Sequence, residues 1–299
     1  MKGMTAAAAW IFAATGVVPL AAPAQHAGLT EDRPRPLHRR LAESDALALG
    51  AVEAVELGRI QVGAATSLRG DVPTRFELKR APSSPPPLAA GDRVVLLLRG
   101  ARSPYLLVDE PDELWKLGAP EADAAVAEAL RALDAERADP AALASRYAAW
   151  LASGAALQRP AAQALEGDAD LLARADARVP AMLADLALAA EDASLRDDAA
   201  RAAVKSELGL VRLLAGLPGT AADPQVVAHA LFAGLSRADG RAAARRCLEH
   251  ASPAVRGATL RFGGMIAGDL AIRSALQRIA SDDPDEQLRL AARRALSTR

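Results

Sequence analysis

With Cys247 as its only cysteine, this chain of 299 residues cannot close an internal disulfide, so its stability has to come from packing or from partners. Aromatics make up 3%, and the cores must lean on small aliphatic side chains, alanine above all. Histidine occurs only at His26, His38, His229 and His250, which argues against histidine-based metal or acid/base chemistry. Neither sign of charge dominates: 36 basic residues face 37 acidic ones, for a net charge of −1. That balance argues against a dedicated binder of nucleic acid or another polyanion. Lysine is confined to Lys2, Lys79, Lys116 and Lys205, so the positive charge is almost all arginine. No G-x-S-x-G, H-E-x-x-H or phosphate-loop motif occurs, and no calcium loop. "GLPGTAADP" has two glycines but lacks Lys-Ser/Thr and follows no strand, so it reads as an interhelical loop. After Ala24 no apolar run is long enough to span a bilayer.

What is present begins with an export signal. Lys2 supplies a positive start, "AAAAWIFAATGVVPLAA" the apolar run, and Ala22-Pro23-Ala24 an A-x-A cleavage site. A periplasmic or secreted protein, mature from near Gln25, is the expectation. Retention of Met4–Ala24 as a membrane anchor is the competing reading, and only then would the membrane be a partner. No cysteine follows the apolar run, which excludes a lipid-modified N-terminal cysteine. Residues 25–43 are polar, contain proline and show no period, as a linker does. Their basic cluster, Arg33, Arg35, His38, Arg39 and Arg40, either is solvated or touches an anionic surface.

From Ser44 to about Leu117 the period is that of strands. Leu47 and Leu49 alternate, a turn falls at Leu57-Gly58-Arg59, and Ile60, Val62, Ala64, Thr66 and Leu68 follow at period two. Phe76 and Leu78 mark a third strand. "APSSPPPLAAGD" cannot be central strand for want of amide donors. "RVVLLLRG" is apolar on both faces, as in a buried central strand, and "PYLLVDE" supplies a fifth. Five short antiparallel strands fit a small barrel or sandwich. The run "LALGAVEAVELGRIQVGAATSLRGDVP" with "LAAGDRVVLLLR", covering Asp45 to about Val108, resembles secreted β-barrel modules of OB type, similar to netrin-like domains. In those, a strand pair ends in an "xLxGxxP" turn and a later strand opens with "xGxRVLLFL". The resemblance implies a barrel and an extracytoplasmic setting. Inhibitory members of that group act through an N-terminal cysteine; this segment has none, so no inhibitory residue carries over.

From Pro120 onward the pattern is helical, with Asp139-Pro140 and Asp223-Pro224 as helix openings. Stripes at helical spacing run through Val227, Ala230, Leu231, Gly234 and Leu235; Ala244, Cys247, Leu248 and Ala251; Val255, Ala258, Thr259, Phe262 and Gly263. Ile272, Ala275, Leu276, Ile279 and Ala280 form a fourth, and Leu288, Ala291, Ala292, Ala295 and Leu296 a fifth. Pairs of stripes recur after roughly 28 to 33 residues, the range of helical-hairpin repeats. "SPAVRGATL" and "DPDEQLRLAARRAL" align on Pro, then Val-Arg or Leu-Arg, then Ala. This resembles HEAT-like repeats of the short type, whose first helix reads "DPxxxVRxxAxxAL", and is clear from Asp223 to Leu296. The earlier stripes are degenerate repeats or an irregular helical cap.

No residue set commits the chain to a reaction. Cys247 and His250 form Cys-x-x-His, half of a zinc site at most; the stripe turns Cys247 inward and His250 outward. The acid pairs Glu191-Asp192, Asp197-Asp198 and the group Asp282, Asp283, Asp285, Glu286 lie at predicted helix openings, where they complement the amide-rich end. Asp283 reads as a cap before Pro284, and Asp285 with Arg289 as an i, i+4 pair. Trp115, Tyr147 and Trp150 read as packing between barrel and helices. The expected architecture is α+β and multidomain: a signal peptide over 1–24, a linker over 25–43, a small antiparallel OB-like barrel over 44–117, and an all-α HEAT-like solenoid over 118–299, clearest over 223–299. The expected function is a non-catalytic, protein-binding scaffold of the cell envelope, without cofactor, metal or catalytic residues. Arg256, Arg289 and Arg293 are the side chains the stripes leave outward for a partner surface. Two rivals stay open: a barrel that holds a peptide, glycan or small ligand, and an enzyme with a site of unfamiliar form.

Overall fold

The computed structural model describes residues 35–56, 58–79, 88–108, 115–117, 123–217 and 223–297. The expected signal over 1–24 lies outside them, as do residues 25–34 of the linker and residues 80–87 of the Pro-rich loop. Residues 37–43 of that linker are a helix, α1 (Leu37–Glu43), because Leu37 and Leu41 stand one turn apart and are both buried. Arg40 and His38 are buried with them, so this basic cluster is not simply a solvated run.

Six strands follow: β1 (Ala46–Glu56), β2 (Arg59–Arg69), β3 (Phe76–Lys79), β4 (Arg93–Arg99), β5 (Tyr105–Leu107) and β6 (Lys116–Leu117). The first five close a barrel in the order β1-β2-β3-β5-β4, with β4 returning to β1 and β6 added at β4. This is an OB-like strand order, with one departure from the all-antiparallel expectation: β3 and β5 pair in parallel. Closure explains it. With β4 antiparallel to both β1 and β5, strands β3 and β5 must run the same way.

Strands β1 and β4 are apolar on both faces because each face meets a different core. Ala46, Ala48, Val52, Val94, Leu96 and Leu98 fill the barrel together with Ile60, Val62 and the edge-to-face pair Phe76 and Tyr105. The barrel interior is therefore packed side chains. Leu47, Leu49, Val95 and Leu97 point the other way and join the core of the helices. Arg69, at the end of β2, braces the same junction: its guanidinium donates to Leu41 O and Ser44 O and pairs with Asp134 at 2.5 Å.

The helices are α2 (Asp123–Glu136), α3 (Pro140–Leu151), α4 (Ala155–Gly167), α5 (Ala169–Arg174), α6 (Val179–Ala189), α7 (Ala193–Ala203) and α8 (Glu207–Gly216). They continue with α9 (Pro224–Gly234), α10 (Ala238–Leu248), α11 (Pro253–Leu260), α12 (Gly263–Ile266), α13 (Leu270–Asp282) and α14 (Glu286–Ser297). Two rows emerge from their packing. In the first, α4 packs on α7, α7 on α9, α9 on α11 and α11 on α14; in the second, α3 meets α6, then α8, α10 and α13 in turn. Each first-row helix lies against a second-row neighbour in sequence, so the region is a stack of helical hairpins. The stacking extends back through α3 and α4, earlier than the sequence stripes reveal, with α5 and α12 inserted between hairpins. Asp139 and Asp223 cap α3 and α9 ahead of their prolines, as the Asp-Pro pairs predict.

Turns from the first row into the second are tight enough to demand glycine. A Cβ on Gly240, near the start of α10, would run into the carbonyl oxygen of Gly234 at the end of α9; Gly209 of α8 stands in the same relation to Ala203 O. Ala is the better helix former, yet Gly240→Ala should destabilise the protein by roughly 1–3 kcal/mol through overpacking. Urea unfolding measures it, and an unchanged or higher midpoint would refute the close approach.

Candidate functional site

Of the three arginines expected on a partner surface, Arg256 is not on the surface. It is 8% exposed, its Nε and Nη2 donate to the carboxylate of Asp283 at 2.7 and 3.0 Å, and its Nη1 donates to His250 O and Ala251 O. Helical periodicity puts Arg256 on the outer side of its own helix; it cannot say that the turn from α13 into α14 meets that side. Arg289 is half-buried, with Nη1 donating to Asp283 O and Pro284 O. Arg293 is exposed, and its Nε donates to Ala280 O at the end of α13. The acids are also reassigned. Asp285, not Asp283, caps α14 by accepting from Gln287 N and Leu288 N, while Asp283 accepts from Asp285 N and holds Arg256.

Asp283 and Arg256 line one wall of a cleft of about 430 Å³ between the α10–α11 turn and α13. Its other polar groups are Glu249, His250, Arg278 and Asp282. Most are already committed within the protein. Arg278 pairs with Glu249 at 2.5 Å, and His250 Nδ1 accepts from Ser252 N at the start of α11. Burial would raise the Asp283 carboxyl, but Arg256, the Asp285 amide and the nearby Arg289 outweigh it and hold the carboxyl below its ordinary value.

Cys247 is fully buried, and burial pushes its thiol up to about 11, which suits a small core side chain. His250 is fixed on Ser252, so the Cys-x-x-His spacing does not bring the two together as ligands. Asp197 and Asp198 sit in the middle of α7, not at its opening, where Asp192 is the cap. They join three first-row helices: Asp198 accepts from Arg159 and Gln163 of α4 and from Arg201, and Asp197 pairs with Arg201 and with His229 of α9. Among the described residues no group of three or more His, Cys, Asp or Glu side chains could hold a metal ion.

The aromatic residues singled out in the sequence do meet: Trp150 lies edge-to-face on Tyr147 and near Trp115. Sequence reasoning missed His38 beside them. Its backbone amide donates to the Tyr147 hydroxyl, which lies 3.2 Å from His38 Nδ1, and Nε2 lies 3.8 Å from Asp168. The imidazole is thus held between the Tyr147 hydroxyl on its Nδ1 side and the Asp168 carboxylate on its Nε2 side. Burial lowers the imidazole pKa below 6.5; Asp168 opposes this and Arg39 adds to it.

Sequence reasoning also missed an apolar edge. Leu208 opens α8, Phe232 ends α9, Met265 lies in α12 and Leu270 opens α13, so all four stand where the chain turns from the first row into the second. They are 52, 80, 75 and 81% exposed. Phe232 carries a readable signal, because it is a large apolar residue lying off the stripe of Val227, Ala230, Leu231 and Gly234.

Asp283→Ala, which strands a buried guanidinium, should cost about 3 kcal/mol or more, while Arg293→Ala should stay within about 0.5 kcal/mol. Urea unfolding at neutral pH compares them, and equal effects would refute the buried pair. For His38, the unfolded chain binds the proton more readily than the folded one, so stability is complete above the ordinary value of 6.5 and falls as pH drops through the lowered folded value. His38→Gln should flatten stability measured between about pH 8 and about pH 5; an unchanged slope would remove His38 as its source.

Comparison with known protein families, with curated proteins and with solved structures gives no match for this chain.

Proposed function

We propose that the protein is an exported, non-catalytic scaffold of the cell envelope that binds a partner protein through its helical stack, a stack similar to short HEAT-like repeats. The observation that carries this reading is the edge formed by Leu208, Phe232, Met265 and Leu270. Single exposed apolar residues are ordinary, but large ones repeated along one edge of a stack mark a surface that another protein covers. A hairpin stack favours this use because it offers an extended surface in place of an enclosed pocket. The apolar N-terminal run with its A-x-A site supports export. The barrel, filled by its own side chains, serves in this reading as the module on which the first hairpins are built.

Photo-reactive residues placed at positions 232 and 270, and at Arg59 on the outside of the barrel as a control, test the reading in intact cells. Discrete adducts of one reproducible mass are expected at 232 and 270. Adducts at position 59 alone would move the binding role to the barrel, and none at any position would refute the scaffold.

A further inference from the structure

Charge pairs repeat along the stack in a fixed form. Arg196, the fourth residue of α7, donates through Nη1 to the carbonyls six and five residues earlier, Ala190 O and Glu191 O. Its Nε and Nη2 reach Asp223, the cap of the next first-row helix, at 3.2 and 2.9 Å. Arg256, the fourth residue of α11, repeats the carbonyl contacts on His250 O and Ala251 O and reaches Asp283, two residues before Asp285, the cap of α14. In both cases acid and arginine are 27 residues apart. The second row has a looser copy: Arg241, fourth in α10, donates to Leu235 O and Ser236 O and stands 3.9 Å from Asp269, the cap of α13.

Where the fourth residue is not arginine, as with Val227 in α9 or Leu210 in α8, the cap of the next helix of the row is not an acid but Ser252 or Arg237. An acid can cap without such a partner, as Asp192 does after α4. An arginine at the fourth position of α7, α10 or α11, however, always has its acid.

Arg289 is the fourth residue of α14 and has the first half of the arrangement intact, with Nη1 on Asp283 O and Pro284 O, six and five residues earlier. Among the described residues no carboxylate meets its Nε and Nη2 edge. Gly257 of α11 faces Leu288 of the next helix; its counterpart one helix on is Leu290, 37% exposed, with Arg293 close by on the same side. The face thus combines an apolar residue with two cations, which an acidic helix opening complements.

We propose that Arg289 receives the carboxylate at the opening of a helix of a partner protein, docked on α14 as the next member of the first row. This rests on the reading of the stack as a protein-binding surface and names the chemistry of one partner element. Arg289 positions that helix through a two-donor contact, as Arg256 positions α14, and Leu290 packs beneath it.

A stapled, fluorescent peptide of residues 282–297 is the probe, since it carries Asp283, the acid that Arg256 already accepts. Titrated with the full chain and followed by anisotropy, it should bind saturably and more weakly at high salt. Asp283→Asn in the peptide, which leaves the protein untouched, should weaken binding about tenfold or more, and so should Arg289→Gln in a chain shown by circular dichroism to be folded. Exchanging the charges, Arg289→Asp in the chain against Asp283→Arg in the peptide, should restore part of it. Absence of saturable binding, or equal binding by the Asn peptide, would overturn the proposal. So would self-association that Arg289→Gln abolishes, which would give the face to a second copy. None of these outcomes removes adducts at positions 232 and 270, so this inference and the scaffold reading fail separately.

Discussion

Strands β1 and β4 have to satisfy two cores at once, and the rest of the structure depends on that. A strand alternates its side chains, so one apolar run can serve two masses of protein only if both of its faces are covered. Here even-numbered residues close the barrel and odd-numbered ones, Leu47, Leu49, Val95 and Leu97, enter the helical core with Leu37 and Leu41. A slip of one residue in either strand would exchange the two sets and spoil both cores. Arg69, tied to α1 backbone oxygens and to Asp134 of α2, adds a polar lock where the strands meet the helices.

Beyond the junction, a chain poor in aromatics has little apolar bulk per helix. Ala161, Ala162, Ala164, Ala199, Ala200, Ala202 and Ala203 are all fully buried, which lets α4 and α7 approach closely but gives each residue a small share of the hydrophobic term. Arginine supplies what these thin contacts lack in direction. Arg196, Arg241 and Arg256 each tie their own turn to an acid before the next helix of their row, fixing register between hairpins that alanine surfaces alone would leave free to slide. Arg256, buried and hydrogen-bonded through all three guanidinium nitrogens, acts less as a source of net stability than as a specificity device.

Much of this was legible from residue order. The two apolar faces of "RVVLLLRG" announce a strand between two layers, the Asp-Pro pairs at Asp139 and Asp223 announce helix openings, and the stripes from Val227 to Leu296 give the inward faces apart from Ala251, which is exposed in the α10–α11 turn. What stayed hidden was whatever depends on a neighbour. Arg256 lies on the outer side of its own helix and is buried all the same, because Asp283, in the turn from α13 into α14, comes up against it. Asp283 looked like a cap because it precedes proline, but Arg256 claims it and Asp285 caps instead. Helices α3 to α8 stack like the later ones without their Pro-x-Val-Arg signature, since packing needs the stripe and not the motif. Residues 37–43 were masked by their charges, although Leu37 and Leu41 had the spacing of a buried face.

The same neighbour dependence separates the two surfaces assigned to partners. The edge of Leu208, Phe232, Met265 and Leu270 lies at turns, where no further hairpin of this stack would cover it, so its exposure is a property of each repeat. The α14 face is different: among the described residues it has the form of an internal contact, with Arg289 held as Arg256 is and Leu290 exposed beside it. Leu260 of α11, buried by α14, corresponds to Arg293 of α14, so this face is more polar than an internal one. Arg293 in turn donates to a carbonyl near the end of α13, as a solvated polar residue can. Arg289 does not fit that pattern. A solvated surface needs charge, but it does not need a guanidinium held on the carbonyls six and five residues earlier, the positions that orient Arg196 and Arg256 toward their acids. That retained geometry distinguishes a face prepared for a carboxylate from one that merely meets water.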